Sequence, residues 1–120
     1  MKRWIIGAAL LGYIGAAYGA GWVEIASSPG QTEWAMRAQA PEEVWEKFTY
    51  NSPQAAVGFV YNQEVSLDKI NCSQGSVTKI QGSYYINGSA VWSSSPPLRP
   101  FYAPPGTFAA ALISDFCKGA

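Results

Sequence analysis

The chain has no histidine and only two cysteines, Cys72 and Cys117, in 120 residues. Lack of histidine removes the commonest general base near neutral pH and the commonest nitrogen ligand for zinc. With both thiols expected to be oxidised, carboxylates are the only metal donors left, and they are scattered, so neither a metal nor a cofactor is expected. Charge is also sparse: charged residues make up 13% of the chain, eight basic against eight acidic. No basic run offers an electrostatic footprint for nucleic acid or an anionic membrane surface. A Gly-x-Ser-x-Gly elbow is missing, as is a base to activate a serine. Glu42, Glu43 and Glu46 lie close in sequence, and this cluster reads as a solvated face rather than the close carboxyl pair of a glycosidase. A small hydrolase using Glu42, Glu46 or Asp115 is the remotest reading, and the chain is expected not to be an enzyme.

What the chain does have begins with a leader. Lys2 and Arg3 precede an uncharged stretch over residues 4–23, ending among the small residues Ala17, Gly19 and Ala20. That layout predicts a signal peptide over 1–20, cleaved after Gly19 or Ala20, and one domain over 21–120. Loss of Lys2 and Arg3 takes the balance to six basic against eight acidic, a net charge of about −2. No cysteine follows the apolar run, so the product is expected to be periplasmic or secreted and not lipid-anchored. In an oxidising compartment Cys72 and Cys117 are expected to pair, and closing so long a loop contributes about 4 kcal/mol in the chain-entropy description.

Trp22–Ala26 reads as a short strand and Ser27–Gly30 as a turn. Glu33–Arg37 fits a strand slightly better than a helical turn. Val44–Tyr50, rich in aromatic and β-branched residues, reads as a strand that ends at Asn51-Ser52-Pro53. Residues 55–72 contain the next extended stretch, with a bulge or bend near Asp68–Asn71. Asn87-Gly88 is the preferred pair for a two-residue hairpin, so Tyr84–Ile86 is expected to pair with Ser89–Val91. Ser93–Pro105 holds five of the eight prolines and reads as a crossing segment without a period of its own. Within it, Pro97-Leu98-Arg99-Pro100 has polyproline-motif spacing, but a stiff connector is the simpler meaning.

The last stretch organises the rest. Thr107 is suited to cap a helix, and Phe108, Ala109, Leu112, Ile113, Phe116 and Cys117 fall on one side of it. Lys118 and Gly119 suit its end. So short a helix is unstable alone and needs a surface to cover. The pattern therefore predicts an α+β fold: a curved antiparallel sheet with this helix packed on one face and tied to it by Cys72–Cys117.

Aromatic residues are plentiful, Trp 5, Tyr 7 and Phe 5, and most are expected in the core. Tyr85, Trp92, Phe101 and Tyr102 are the candidates for an exposed binding patch. Asn71-Cys72-Ser73 and Asn87-Gly88-Ser89 match the glycosylation spacing, yet each asparagine has a structural role available, beside the bridge and in the hairpin turn.

The order Val44-Trp-Glu-Lys-Phe48, Ile70-Asn-Cys72, Tyr84-Tyr-Ile-Asn-Gly-Ser-Ala-Val-Trp92 and Pro105-Gly-Thr-Phe-Ala-Ala-Ala-Leu-Ile-Ser-Asp-Phe-Cys117 resembles the surface-adhesin protein E family of Gram-negative bacteria. The resemblance covers most of the chain after the leader. It implies a sheet of about six strands with the last helix disulfide-tethered to its concave side, and a protein that binds host matrix or serum proteins or a component of the cell envelope. The named adhesin is a lipoprotein, whereas this chain lacks a lipobox cysteine. The alternative is a periplasmic structural or assembly protein acting as a homodimer through strand edges.

Overall fold

In the computed structural model, residues 21–118 are described. The expected signal peptide with its cleavage positions Gly19 and Ala20, and the helix-ending Gly119, lie outside them. Among the described residues, seven antiparallel strands precede one helix: β1 (Val23–Ser28), β2 (Gln31–Arg37), β3 (Glu43–Ala56), β4 (Phe59–Asn71), β5 (Ser76–Ile86), β6 (Ser89–Ser94), β7 (Pro100–Tyr102) and α1 (Phe108–Lys118). The strands form a single open sheet in the order β7-β5-β4-β3-β2-β1. β6 also pairs with β5, at the end opposite to β7, since β7 meets Ser76–Thr78 and β6 meets Gly82–Ile86. The α+β architecture expected from the sequence is present, including the helix on one face and the Cys72–Cys117 bridge, whose Cα atoms are 5.8 Å apart.

Alternation along the long strands decides which side chains meet α1. Val44 and Glu46 of β3 are buried, as are Ser66, Asp68 and Ile70 of β4. The core consists of Ala35, Val44, Ile70 and Val77 from the sheet with Leu112 and Phe116 from α1, flanked by Ile25, Ala109, Ile113 and Cys117. Thr107 caps the helix as expected: its hydroxyl accepts from the Ala110 amide at 3.1 Å. At the other end, Arg37 donates to the Phe116 carbonyl at 2.9 Å and lies 4.4 Å from the Phe116 ring centre. A guanidinium is well placed there, at the negative end of the helix.

Five local expectations need correction. Ser27 and Ser28 belong to β1 rather than to a turn, pairing with Thr32 and Gln31, and Tyr84 pairs with Trp92 rather than Val91, which is the extra residue of a bulge on β6. β3 does not stop at Asn51-Ser52-Pro53 but runs to Ala56, because the register with β4 slips between Thr49 and Gln54. Pro53 lies within that slip, where it withholds no ladder hydrogen bond. The bulge between β4 and β5 falls between Leu67 and Asp68 and places the extra residue on β5 rather than on β4. Finally, the crossing segment contains a strand: Phe101 pairs with Val77 and Tyr102 with Ser76. The hairpin forms at Asn87-Gly88, with φ of 49° and 87°, the left-handed pair that such turns demand.

Candidate functional site

Two features stand out on the helix-covered face, one open to solvent and one closed. Beyond the first turn of α1, where Phe108 meets Phe48 edge-to-face at 5.3 Å, the sheet continues as a row of aromatic rings. Tyr61 packs edge-on against Tyr50 at 5.7 Å and against Tyr84 at 4.9 Å. Phe59 is 5.4 Å from Tyr84 and stacks on Trp92 at 5.7 Å and 12°. Tyr84 stands directly opposite Trp92 across the hairpin and opposite Glu64 on the other side. Trp92 remains 54% exposed, so the row ends in a ring held from behind by Phe59 and offered to solvent in front. The hydroxyl of Tyr50 donates to Glu64. Burial, then that bond and its negative charge, pushes the Tyr50 hydroxyl far above the ordinary phenol range. Asn62, next to Tyr61 on β4, ties that strand to the β5–β6 turn, its Nδ2 donating to Oδ1 of Asn87 at 3.0 Å and the Asn87 amide donating to its Oδ1 at 3.1 Å.

Of the four aromatic residues singled out from the sequence, only Trp92 belongs to this row. Phe101 and Tyr102 are exposed but sit on β7, which meets the far end of β5. Tyr85 follows Tyr84 on a regular strand and so points to the opposite face, half-buried. The four therefore do not share one surface. Phe59, Tyr61 and Tyr84 were missed because long-range pairing brings them together; the only local sign was the density of aromatic residues on both sides of the hairpin.

The closed feature is a row of carboxyls beneath α1. Glu46 faces Ala35 on β2 and Ser66 on β4, while Glu33 and Asp68 sit two residues further along those neighbours, so the three form a diagonal. Glu33 and Asp68 are 0% exposed and Glu46 is 7% exposed. No hydrogen bond from elsewhere in the described residues reaches any of the four carboxyl oxygens of Glu33 and Asp68. Burial first, then contact with Glu33, pushes the Glu46 carboxyl up to about 8. Burial, and next the contact with Glu46, pushes Asp68 up to about 8 as well. Glu33 is also raised, chiefly by burial. The expectation that Glu42, Glu43 and Glu46 form one solvated face fails at Glu46. Glu42 does lie at the surface, 3.6 Å from Lys69, but residues 42 and 46 belong to different environments because only Glu46 occupies a core-facing position of β3. Among the described residues, no group of three or more His, Cys, Asp or Glu side chains is placed to hold a metal ion.

The sheet face opposite α1 contributes a smaller arrangement. The Lys47 ammonium lies 4.6 Å from the Trp22 ring centre and 5.4 Å from that of Trp34, and Trp34 Nε1 donates to Thr49 Oγ1 at 3.0 Å. Burial lowers the Lys47 pKa. The aliphatic stem thus covers two indoles while its charge stays over their faces, a structural use of the residue.

Both candidate glycosylation asparagines have other partners. Asn71 Oδ1 accepts from the Ser73 hydroxyl at 2.9 Å and the Gln74 amide at 3.1 Å, shaping the turn that carries Cys72; Asn87 occupies the hairpin. The chain matches no family model, no curated protein and no solved structure.

Proposed function

We propose that this chain is an exported, non-enzymatic binding module of the adhesin E type that recognises another protein, either a host matrix or serum protein or a component of the cell envelope. The observation that carries this reading is the aromatic row ending in Trp92, 54% exposed and stacked on Phe59. Aromatic side chains pre-positioned by neighbours lose little conformational freedom on binding and dominate the energetics of protein contacts. The Tyr50–Glu64 pair supplies polar groups beside the rings of that surface, as the polar margin of an apolar contact does. The bridge fits an oxidising destination.

The test is capture from envelope extracts and from arrays of extracellular-matrix and serum proteins, using the purified protein with its bridge intact. The expected result is a retained protein partner whose binding falls at least tenfold in Trp92→Ala, while Leu98→Ala, an exposed residue away from the row, leaves it unchanged. Absence of any partner, or equal loss in both variants, refutes the reading.

The alternative homodimer draws on β1, the outermost strand on its side of the described sheet, where Val23 is 60% exposed. Light scattering showing a strict monomer at micromolar concentration would remove it.

A further inference from the structure

Acidic side chains are a costly filling between a sheet and the helix that closes over it, since a buried carboxylate without a donor loses its hydration and gains nothing in return. Glu33, Glu46 and Asp68 are placed that way by the register of β2, β3 and β4, and the oxygens of Glu33 and Asp68 have no hydrogen bond from the remainder of the described protein. A proton on the row resolves this. It removes a charge and supplies the missing donor from one carboxyl to the next.

We propose that Glu33, Glu46 and Asp68 form a proton-held latch: while the row keeps its protons α1 stays seated on the sheet, and their loss lifts α1 about its disulfide tether.

The surroundings favour retention of the protons. The Ser66 hydroxyl, on the same face of β4, favours ionised Asp68, and Lys79 of β5, opposite Asp68, is the cation that acts on Glu46 and Asp68; together they offset only part of the effect of burial. Asp115 of α1 adds a further negative charge toward Glu33. Arg37 of β2 is committed to the Phe116 carbonyl and ring. β1 contributes apolar Ile25 to this region. The carboxyls of Glu46 and Asp68, pushed up to about 8 by burial, accord with a latch that holds at mildly acidic pH and opens above neutrality.

α1 is the element that gives way. It is 11 residues long with Leu112 and Phe116 as its buried residues, too short to persist without the sheet, and Cys117 anchors only its last turn. Opening uncovers Ala35, Val44, Ile70 and Val77 beside the aromatic row. The inference does not depend on what that row binds.

Amide hydrogen exchange from pH 6 to 9 tests it, on the purified protein with the bridge intact and after correction for the chemical exchange rate. Protection of the α1 amides should fall by about tenfold per pH unit for each proton released on opening, and level off above about pH 8 where the seated form ionises too. Glu46→Gln, which keeps shape and hydrogen bonding but cannot ionise, should flatten the dependence. Constant protection in the unaltered protein, or an unchanged slope in Glu46→Gln, overturns the proposal. If that variant fails to fold, NMR titration of the carboxyl carbons in the unaltered protein decides: at least two midpoints well above the ordinary carboxylate range support the latch, and three ordinary midpoints refute it.

Discussion

Glu46 and Asp68 make the dependence of stability on pH run opposite to that of a protein held by carboxylate salt bridges. Their carboxyls rise from 4.5 and 3.8 in the free state to about 8 in the folded one, so the folded protein binds protons more tightly than the unfolded chain. The stabilisation is fully present below the lower pair of values and is lost as pH rises through the upper one. The melting temperature is therefore expected to rise as pH is lowered from 8.5 to 5, followed by circular dichroism; a fall over that range would contradict the burial of these groups. Truncation at Val44, 2% exposed beside Asp68, should cost about 1–3 kcal/mol as Val44→Ala, measured by urea denaturation. The special position of Glu46 was not legible in Val44-Trp-Glu-Lys-Phe-Thr-Tyr50. An acidic residue in alternation with apolar ones fits either face of a strand, and which face is covered depends on a helix some sixty residues away.

At the scale of elements, α1 and the hairpin could be read directly because their signals are local. The Thr107 cap, the apolar stripe and the Asn87-Gly88 pair lie within a few residues of the structure they specify. Thr107→Ala is expected to cost about 1 kcal/mol by leaving the Ala110 amide unpaired, and Leu112→Ala about 2–5 kcal/mol by opening a cavity at the centre of the helix contact; thermal melts of both would check the order. If Thr107→Ala proved the more damaging, the packing described here for α1 would be wrong. What escaped the sequence was set by remote partners. Pro53 reads as a strand end, but the slip between β3 and β4 accommodates it. Pro100-Phe101-Tyr102 has no pattern of its own and becomes a strand because Ser76–Thr78 offers an edge. The aromatic row as a whole was likewise invisible: Tyr50, Phe59, Tyr61, Tyr84 and Trp92 come from four strands, and a local motif fixes only the pairing of β5 with β6.

Across the whole molecule the bridge between Cys72 and Cys117 joins the end of β4 to the end of the chain. Cys72→Ser and Cys117→Ser should each cost about 2–5 kcal/mol, and equally, since either removes the same constraint on the unfolded chain; unequal losses in denaturant titrations would mean that one thiol has a second role. The two flanks of the sheet differ. On the β5 side the outer neighbours are β6, six residues with a bulge, and β7, three residues beginning with proline. On the other side, among the described residues, β1 stands outermost with Val23 exposed. Short, irregular or proline-bearing margins resist the addition of further strands. Molecules that join through β1 would consequently stop at a pair, each turning its blunt flank outward. Growth of such a pair into fibres by strand addition would then be blocked at both outer flanks.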